Sequence, residues 1–276
     1  MKKILITGSS GYIGSHLCNM LSGEYEIHGL DIVDSQVEIE KFYKIDINKQ
    51  FSIEGIEFDA VVHLAALTSV SESEERPISY YITNLNGTMN VLNKVKTKNF
   101  IFASTGAAQD CLSAYGVSKR GAEDVVRAYT KMSGAEYTIF RFYNVIGSTV
   151  VMPTNADGLF YNLNKARETG EFTIYGKDYP NTSDGTCVRD YLHVEEVCHS
   201  IKLAIERPAN NVECLGHGVG YTVKEMVRLF EEVNNCDINV TYGPRRQGDI
   251  EYYVLEDVSP YMKNLYTIKD LLKVNG

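Results

Sequence analysis

The run Thr7-Gly8-Ser9-Ser10-Gly11-Tyr12-Ile13-Gly14 constrains this chain more than any other stretch. It joins an apolar segment, Lys3–Thr7, to a pattern that puts Ile13, Leu17 and Leu21 on one helical face. Glycines at such a joint permit a tight turn and let backbone approach a pyrophosphate closely, while the helix N-terminus offers free amides and a positive dipole. The spacing is G-x-x-G-x-x-G, one residue longer than the common G-x-G-x-x-G loop. Asp31, twenty residues past Gly11 at the end of the next apolar run, raises it above an ordinary glycine-rich turn. A carboxylate there accepts hydrogen bonds from ribose hydroxyls and repels a 2′-phosphate, so NAD is expected rather than NADP.

Apolar runs at 3–7, 26–33, 58–66, 99–103 and 136–145 alternate with helical patterns at 12–21, 78–95 and 115–132. Short strands separated by helices indicate βαβ units and a parallel sheet, so the expected fold is a Rossmann-type doubly wound α/β sheet. The length of 276 residues leaves room for about two lobes. The pattern loosens after Gly147, giving an expected dinucleotide-binding domain over 1–150 and a smaller α/β substrate-binding lobe over 151–276, with part of 187–210 packing back onto the first. In the second half, 159–168, 194–205 and 223–233 read as helices, the last opened by Thr222 and Glu225 in capping-box spacing.

Composition narrows the partners. A net charge of −9 repels a phosphate backbone, so nucleic acid is not an expected partner and an anionic ligand must be held by local cations. The N-terminal apolar run stops at Gly8, too short for a signal peptide, and no stretch approaches the roughly 20 apolar residues of a membrane span. Cys18, Cys111, Cys187, Cys198, Cys214 and Cys236 form no C-x-x-C pair, which fits free thiols in a reducing cytoplasm and no metal site.

Tyr115 and Lys119 stand four apart on one helical face. With 19 tyrosines in 276 residues, chance alone gives about one such pair, and Tyr161 with Lys165 is a second. Position selects Tyr115, because it follows a strand ending in Ser104-Thr105, and the carboxyl ends of parallel strands border the dinucleotide crevice. An ammonium beside a phenol is expected to lower its pKa toward working pH, and the Thr105 hydroxyl can complete the set around a substrate hydroxyl.

The chain resembles the extended branch of the short-chain dehydrogenase/reductase superfamily and, within it, the enzymes that epimerise C4 of a UDP-hexose. The marks are TGSSGYIGSH (7–16), VVHLAA (61–66), NLNGTMNVL (84–92), YGVSK (115–119), RFYNVIG (141–147), IYGKDYPNTSDGTCVRDYLHV (174–194) and RRQGD (245–249). The resemblance implies that Gly8, Gly11, Tyr12, Ile13, Gly14, Asp31, Asp46, Ile47, Ala65, Asn84, Tyr115 and Lys119 contact NAD and that Tyr143 lies beside the nicotinamide. It implies that Ser104, Asn144, Tyr175, Arg189, Arg246, Asp249 and Tyr253 hold the nucleotide-sugar, and that Tyr115, Lys119 and Thr105 are catalytic. The implied reaction oxidises C4 of UDP-glucose or UDP-galactose to a 4-keto sugar, turns the sugar and returns the hydride. A homodimer built on the helices near 78–95 and 115–132 is also implied.

Several positions depart from that pattern. Nine residues separate Thr105 from Tyr115 where relatives have a longer loop; Thr68 replaces a lysine near the pyrophosphate, Thr105 a more usual serine; and the C-terminus is short. Thr105 is followed by Gly106-Ala107, whereas dehydratases of the superfamily carry Asp-Glu there, so dehydration is disfavoured. Tyr253 occupies a place where bulk limits room for an N-acetyl group, so the unsubstituted hexoses are the expected substrates. Another NAD-dependent change to a nucleotide-sugar, such as decarboxylation or a different epimerisation, and a non-catalytic dinucleotide sensor remain alternatives.

Overall fold

The computed structural model describes residues 1–53, 55–246 and 249–274; Gln247 and Gly248 of the RRQGD run lie outside them. The chain divides into two compact units, Met1–Phe142 with Cys198–Glu213, and Tyr143–Val197 with Cys214–Gly276. The first boundary thus falls earlier than residue 150, and the segment that returns to the first unit is 198–213.

The first unit is built on a seven-stranded sheet whose order, from one edge, is 211–215, 136–142, 99–105, 60–63, 3–7, 26–31 and 41–44. Neighbours from Glu136–Phe142 to Lys41–Lys44 pair in parallel. The first strand lies mid-sheet and the chain winds outward to both sides, which is the doubly wound order. The central strands carry Ile4, Leu5, Ile6, Val61, Val62, Phe100 and Phe102, all essentially solvent-free, because helices cover both faces of such a sheet. Val91, Leu92, Ala122 and Val126 from those helices close one core cluster against Leu5, Val61 and Phe100.

Two sequence expectations change here. The helix expected over 78–95 is a composite of Pro77–Tyr80, a π-helical turn Tyr81–Asn86 and Gly87–Lys94. The strand expected over 136–145 stops at Phe142, and Asn144–Ile146 pairs instead with Tyr191–His193 of the second unit. The edge strand Lys41–Lys44 was not legible, since four residues with charged ends show no useful alternation.

In the second unit, helices Leu159–Thr169 and Val223–Asn234 pack Phe160, Leu163, Met226 and Phe230 around a parallel pair, Glu171–Tyr175 with Asn239–Gly243. The capping box is present in both halves: Thr222 Oγ1 accepts from Glu225 N at 3.0 Å and Glu225 Oε2 from Thr222 N at 2.7 Å. A second sheet centres on Val188–His193, which carries Arg189 and pairs with Gly220–Thr222, Tyr252–Tyr253 and Asn144–Ile146.

Candidate active site

The glycine loop is a cradle that side chains would fill. A Cβ on Gly14 would lie 2.1 Å from Gly8 O, and one on Gly8, whose φ is +72°, would lie 2.7 Å from Ala65 N. Both obstacles are backbone, so the turn closes only with glycine. Gly11 N donates to Gly8 O at 3.1 Å and Ser15 N to Gly11 O at 2.9 Å, starting the helix. Asp31, at the end of its strand, accepts Ser10 N at 3.0 Å on one oxygen, and Ile32 N and Val33 N at 2.7 and 3.2 Å on the other. Those amides fix the carboxylate beside the loop and leave it acceptor capacity for ribose hydroxyls. This donor set fits an NAD molecule, with pyrophosphate over Gly8–Gly14 and adenosine ribose at Asp31.

The other residues expected to contact NAD make framework bonds within the protein. Tyr12 packs edge-on to His16 at 5.3 Å, and burial pushes its phenol up. Ile13 O receives Cys198 Sγ at 3.9 Å, and Ala65 N donates to Thr7 Oγ1 at 3.3 Å. Asp46 accepts Asn48 N at 2.9 Å, and Ile47 O accepts Asn90 Nδ2 at 2.9 Å. Asn84, 1% exposed in the π-turn, has its amide committed to Leu67 O and Ser118 Oγ at 3.0 Å each and its carbonyl to Leu67 N at 2.9 Å.

The residues expected to be reactive lie on helix Ala114–Ser133 and the end of strand Asn99–Thr105. Ser113 caps the helix by accepting Gly116 N at 3.1 Å, which fixes Tyr115 in the first turn. Despite its length the preceding loop is ordered by local structure: Ala107–Asp110 forms a helical turn, Cys111 takes a left-handed conformation, and Ala114 N donates to Glu74 Oε1 at 2.9 Å. Tyr115 and Lys119 are 9% and 2% exposed. Lys119 Nζ lies 4.4 Å above the centre of the Phe102 ring.

Electrostatics here differ from the sequence expectation. Burial pushes the Tyr115 phenol up to about 12, against which a hydrogen bond with Thr105 acts, and the lysine is not among the groups lowering it. Burial brings Lys119 itself down to about 7, against the pull of Glu123. Desolvation outweighs a local charge because both groups are taken out of water, where each would be the more stable as the form the protein disfavours.

Ser104, expected to touch substrate, is 3% exposed and donates its hydroxyl to Glu123 at 2.6 Å. Three further residues of this set escaped sequence reasoning. Glu123 and Arg141 form a bidentate pair at 2.9 and 2.6 Å, and Tyr80 packs edge-on to Tyr115 at 6.3 Å while donating to Glu72 at 3.1 Å. The i, i+4 step from Lys119 to Glu123 was the one visible signal.

The second unit gathers the other set. Arg189 Nη1 donates to Val188 O at 2.9 Å, and Nη2 lies 3.6 Å from Asp249. Arg246 covers the Tyr175 ring at 4.2 Å. Burial raises the Asp249 carboxyl while Arg189 and Arg246 pull it back. Asn144 Nδ2 donates to Asp190 O at 2.9 Å, and Tyr143 stacks on Tyr253 with centroids 4.8 Å apart. Two guanidiniums, two stacked tyrosines and one aromatic platform can hold a diphosphate and a flat base.

The chain is similar to known proteins over most of its length. The model of the NAD dependent epimerase/dehydratase family matches residues 4–215. The UDP-glucose 4-epimerase of Lactobacillus helveticus is 32% identical over an alignment that covers 92% of this chain and 88% of that protein. Among solved structures, the UDP-glucose 4-epimerase of Bifidobacterium longum with NAD+ and UDP superposes with a TM-score of 0.86 at 25% identity, over 98% of this chain and 96% of that one. The UDP-Glc/GlcNAc 4-epimerase of Campylobacter jejuni superposes at 0.75 and 30% identity, over 92% and 90%.

Proposed function

Because this chain belongs to the NAD dependent epimerase/dehydratase family, we propose that it inverts C4 of a UDP-hexose, interconverting UDP-glucose and UDP-galactose. The observation that carries the reading is the set of buried Tyr115 and Lys119 with half-buried Thr105, at a strand end where Gly106-Ala107 offers no acid or base for elimination. NAD, when bound, supplies a hydride acceptor that becomes the hydride donor for the return step, and brings positive charge.

Tyr115 takes the proton of the 4-hydroxyl and later gives it back. Thr105 holds the phenol oxygen, and Lys119 supplies a cation on the same helix face. In the free protein the phenol stays protonated at neutral pH, since burial raises it to about 12. The phenolate that takes this proton therefore needs a positive charge beside it to offset the burial, which NAD would bring. Arg189 and Arg246 carry the positive charge that a diphosphate requires in a chain of net charge −9. The hexose must turn between the two hydride transfers, so firm holding belongs at the nucleotide and loose holding at the sugar.

The flat Tyr143–Tyr253 stack supports a preference for the unsubstituted hexoses, since Tyr253 has a neighbour against which it cannot fold away. Ile78, Ile82, Met89 and Val117, exposed on the helical segments 77–94 and 114–133, support a homodimer, because a lone chain gains nothing by leaving them in water. Six cysteines, none in a disulfide, support a reducing compartment such as the cytoplasm, and no described helix is long and apolar enough to cross a membrane.

The test supplies UDP-galactose and follows UDP-glucose by NMR. Tyr115→Phe should slow the conversion by about 10²–10⁴-fold. Undiminished turnover in that variant removes Tyr115 as the base. A product of lower mass from UDP-glucuronate would identify decarboxylation instead, and equal turnover of the N-acetyl pair would remove the role of Tyr253.

A further inference from the structure

Helix Ala114–Ser133 carries another buried ionisable group, one turn beyond Lys119. Glu123 is 0% exposed, and its carboxylate accepts three hydrogen bonds: Ser104 Oγ at 2.6 Å, Arg141 Nε at 2.9 Å and Arg141 Nη2 at 2.6 Å. The donors come from two neighbouring strands, and Ser104 and Arg141 are direct register partners. Ser104 immediately precedes Thr105, the hydroxyl that meets Tyr115. One carboxylate therefore joins the end of the Thr105 strand, the adjacent strand and the helix that holds Tyr115 and Lys119.

Charge gives the cluster a second property. An ammonium taken out of water needs a counter-charge nearby. Around Lys119, the strand Asn99–Thr105 presents the apolar Phe102 ring, and the helix presents Tyr115, a protonated phenol, with Ser118 bonded to Asn84. Strand Ala60–His63 presents His63, held at about 3 by burial and by Lys119, so the imidazole is neutral at pH 7. Strand Glu136–Phe142 presents Arg141, a cation already paired with Glu123. Among these groups Glu123 is the one anion.

We propose that Glu123 is a positioning residue of the reaction: it ties the strand end carrying Thr105 to the helix carrying Tyr115, and its charge favours the ammonium form of Lys119. This rests on the reading of Tyr115 and Lys119 as the reactive pair. Direct contact with substrate is no part of the role, since both the carboxylate and Ser104 are closed to solvent. The charge balance is fine, because burial and the opposing pull of Glu123 together leave Lys119 at about 7.

The test reads Lys119 directly, without cofactor or substrate. In protein carrying ¹³C-labelled lysine, the Lys119 Cε resonance is identified by its absence in Lys119→Arg and followed through a pH titration. Glu123→Gln should lower its midpoint by about one unit or more, because an opposite charge is removed. Glu123→Asp should leave it near the starting value. Arg141→Met should raise it, since Glu123 is then unneutralised, and this opposite sign keeps the test decisive if Glu123→Gln does not fold.

In the holoenzyme, the alkaline fall of kcat should move down with the Lys119 midpoint in Glu123→Gln while KM for UDP-galactose stays constant. Ser104→Ala should lower kcat rather than raise KM. A midpoint unmoved in the folded charge variants overturns the proposal, as does a moved midpoint with an unmoved kcat profile. Absence of epimerisation in the unaltered protein would instead overturn the reaction assignment, leaving the Lys119 titration to judge the charge coupling by itself.

Discussion

His63 is gripped by two threonines: Nδ1 lies 2.6 Å from Thr7 Oγ1 and Nε2 lies 2.9 Å from Thr88 Oγ1. Thr88 donates its own proton to Asn84 O at 2.6 Å, so it accepts from Nε2–H and the ring is the neutral Nε2–H tautomer. Burial and Lys119 depress its pKa to about 3. The folded value lies below the unfolded one of about 6.5, so the associated stability is complete above that pH and is lost as pH falls toward 3. At pH 4 the loss from this residue comes to about 3 kcal/mol. Urea unfolding of His63→Asn at pH 7 and pH 4 should show a shallower decline than the unaltered protein; parallel declines would contradict the assignment. The identities of His63, Glu123 and Tyr80 were plain in the sequence but their roles were not, because their partners lie far along the chain: Thr7 and His63 are 56 positions apart. Tyr115 and Lys119 were legible because four residues on one helix already imply proximity.

At the scale of elements, the glycine turn between Lys3–Thr7 and Tyr12–Leu21 was readable because glycine identity and a strand-to-helix switch are both local. The spacing predicts a turn, and the structure adds which glycine tolerates least. Gly14→Ala would press Cβ to 2.1 Å from Gly8 O, so the helix must part from the loop. Its expected cost is roughly 2 kcal/mol, with weakened NAD binding in calorimetric titration. Gly121→Ala is the control: its Cβ would meet Leu85 side-chain atoms at 3.6 Å, ordinary contact, and should add about 0.5–1 kcal/mol without changing NAD affinity. Equal effects of the two would show that the cradle is not what the loop provides. Other elements were hidden by continuity. The apolar pattern runs through Phe142 into Asn144–Ile146 without a break, although the two segments pair in different sheets. The π-turn at Tyr81–Asn86 likewise keeps a helical look in sequence, and Asn84 shows its cause only by its bonds to Leu67 and Ser118.

For the whole molecule, the parallel sheet and its doubly wound order followed from the strand–helix alternation. Residues 198–213 belong to the first unit, overlapping the return expected within 187–210, and 143–150 belong to the second. The nine residues between Thr105 and Tyr115 fold into a helical turn and an N-cap. The net charge of −9 sets the far field, against which Lys119, Arg189 and Arg246 are local reversals of sign. The central claim is that hydride leaves C4 and returns to C4 within one protein molecule. UDP-galactose carrying deuterium at C4 tests it most directly, by mass and NMR analysis of the UDP-glucose formed in ordinary water. The account predicts that deuterium stays at C4 of the product; loss of the label to solvent, or no conversion at all, would contradict it.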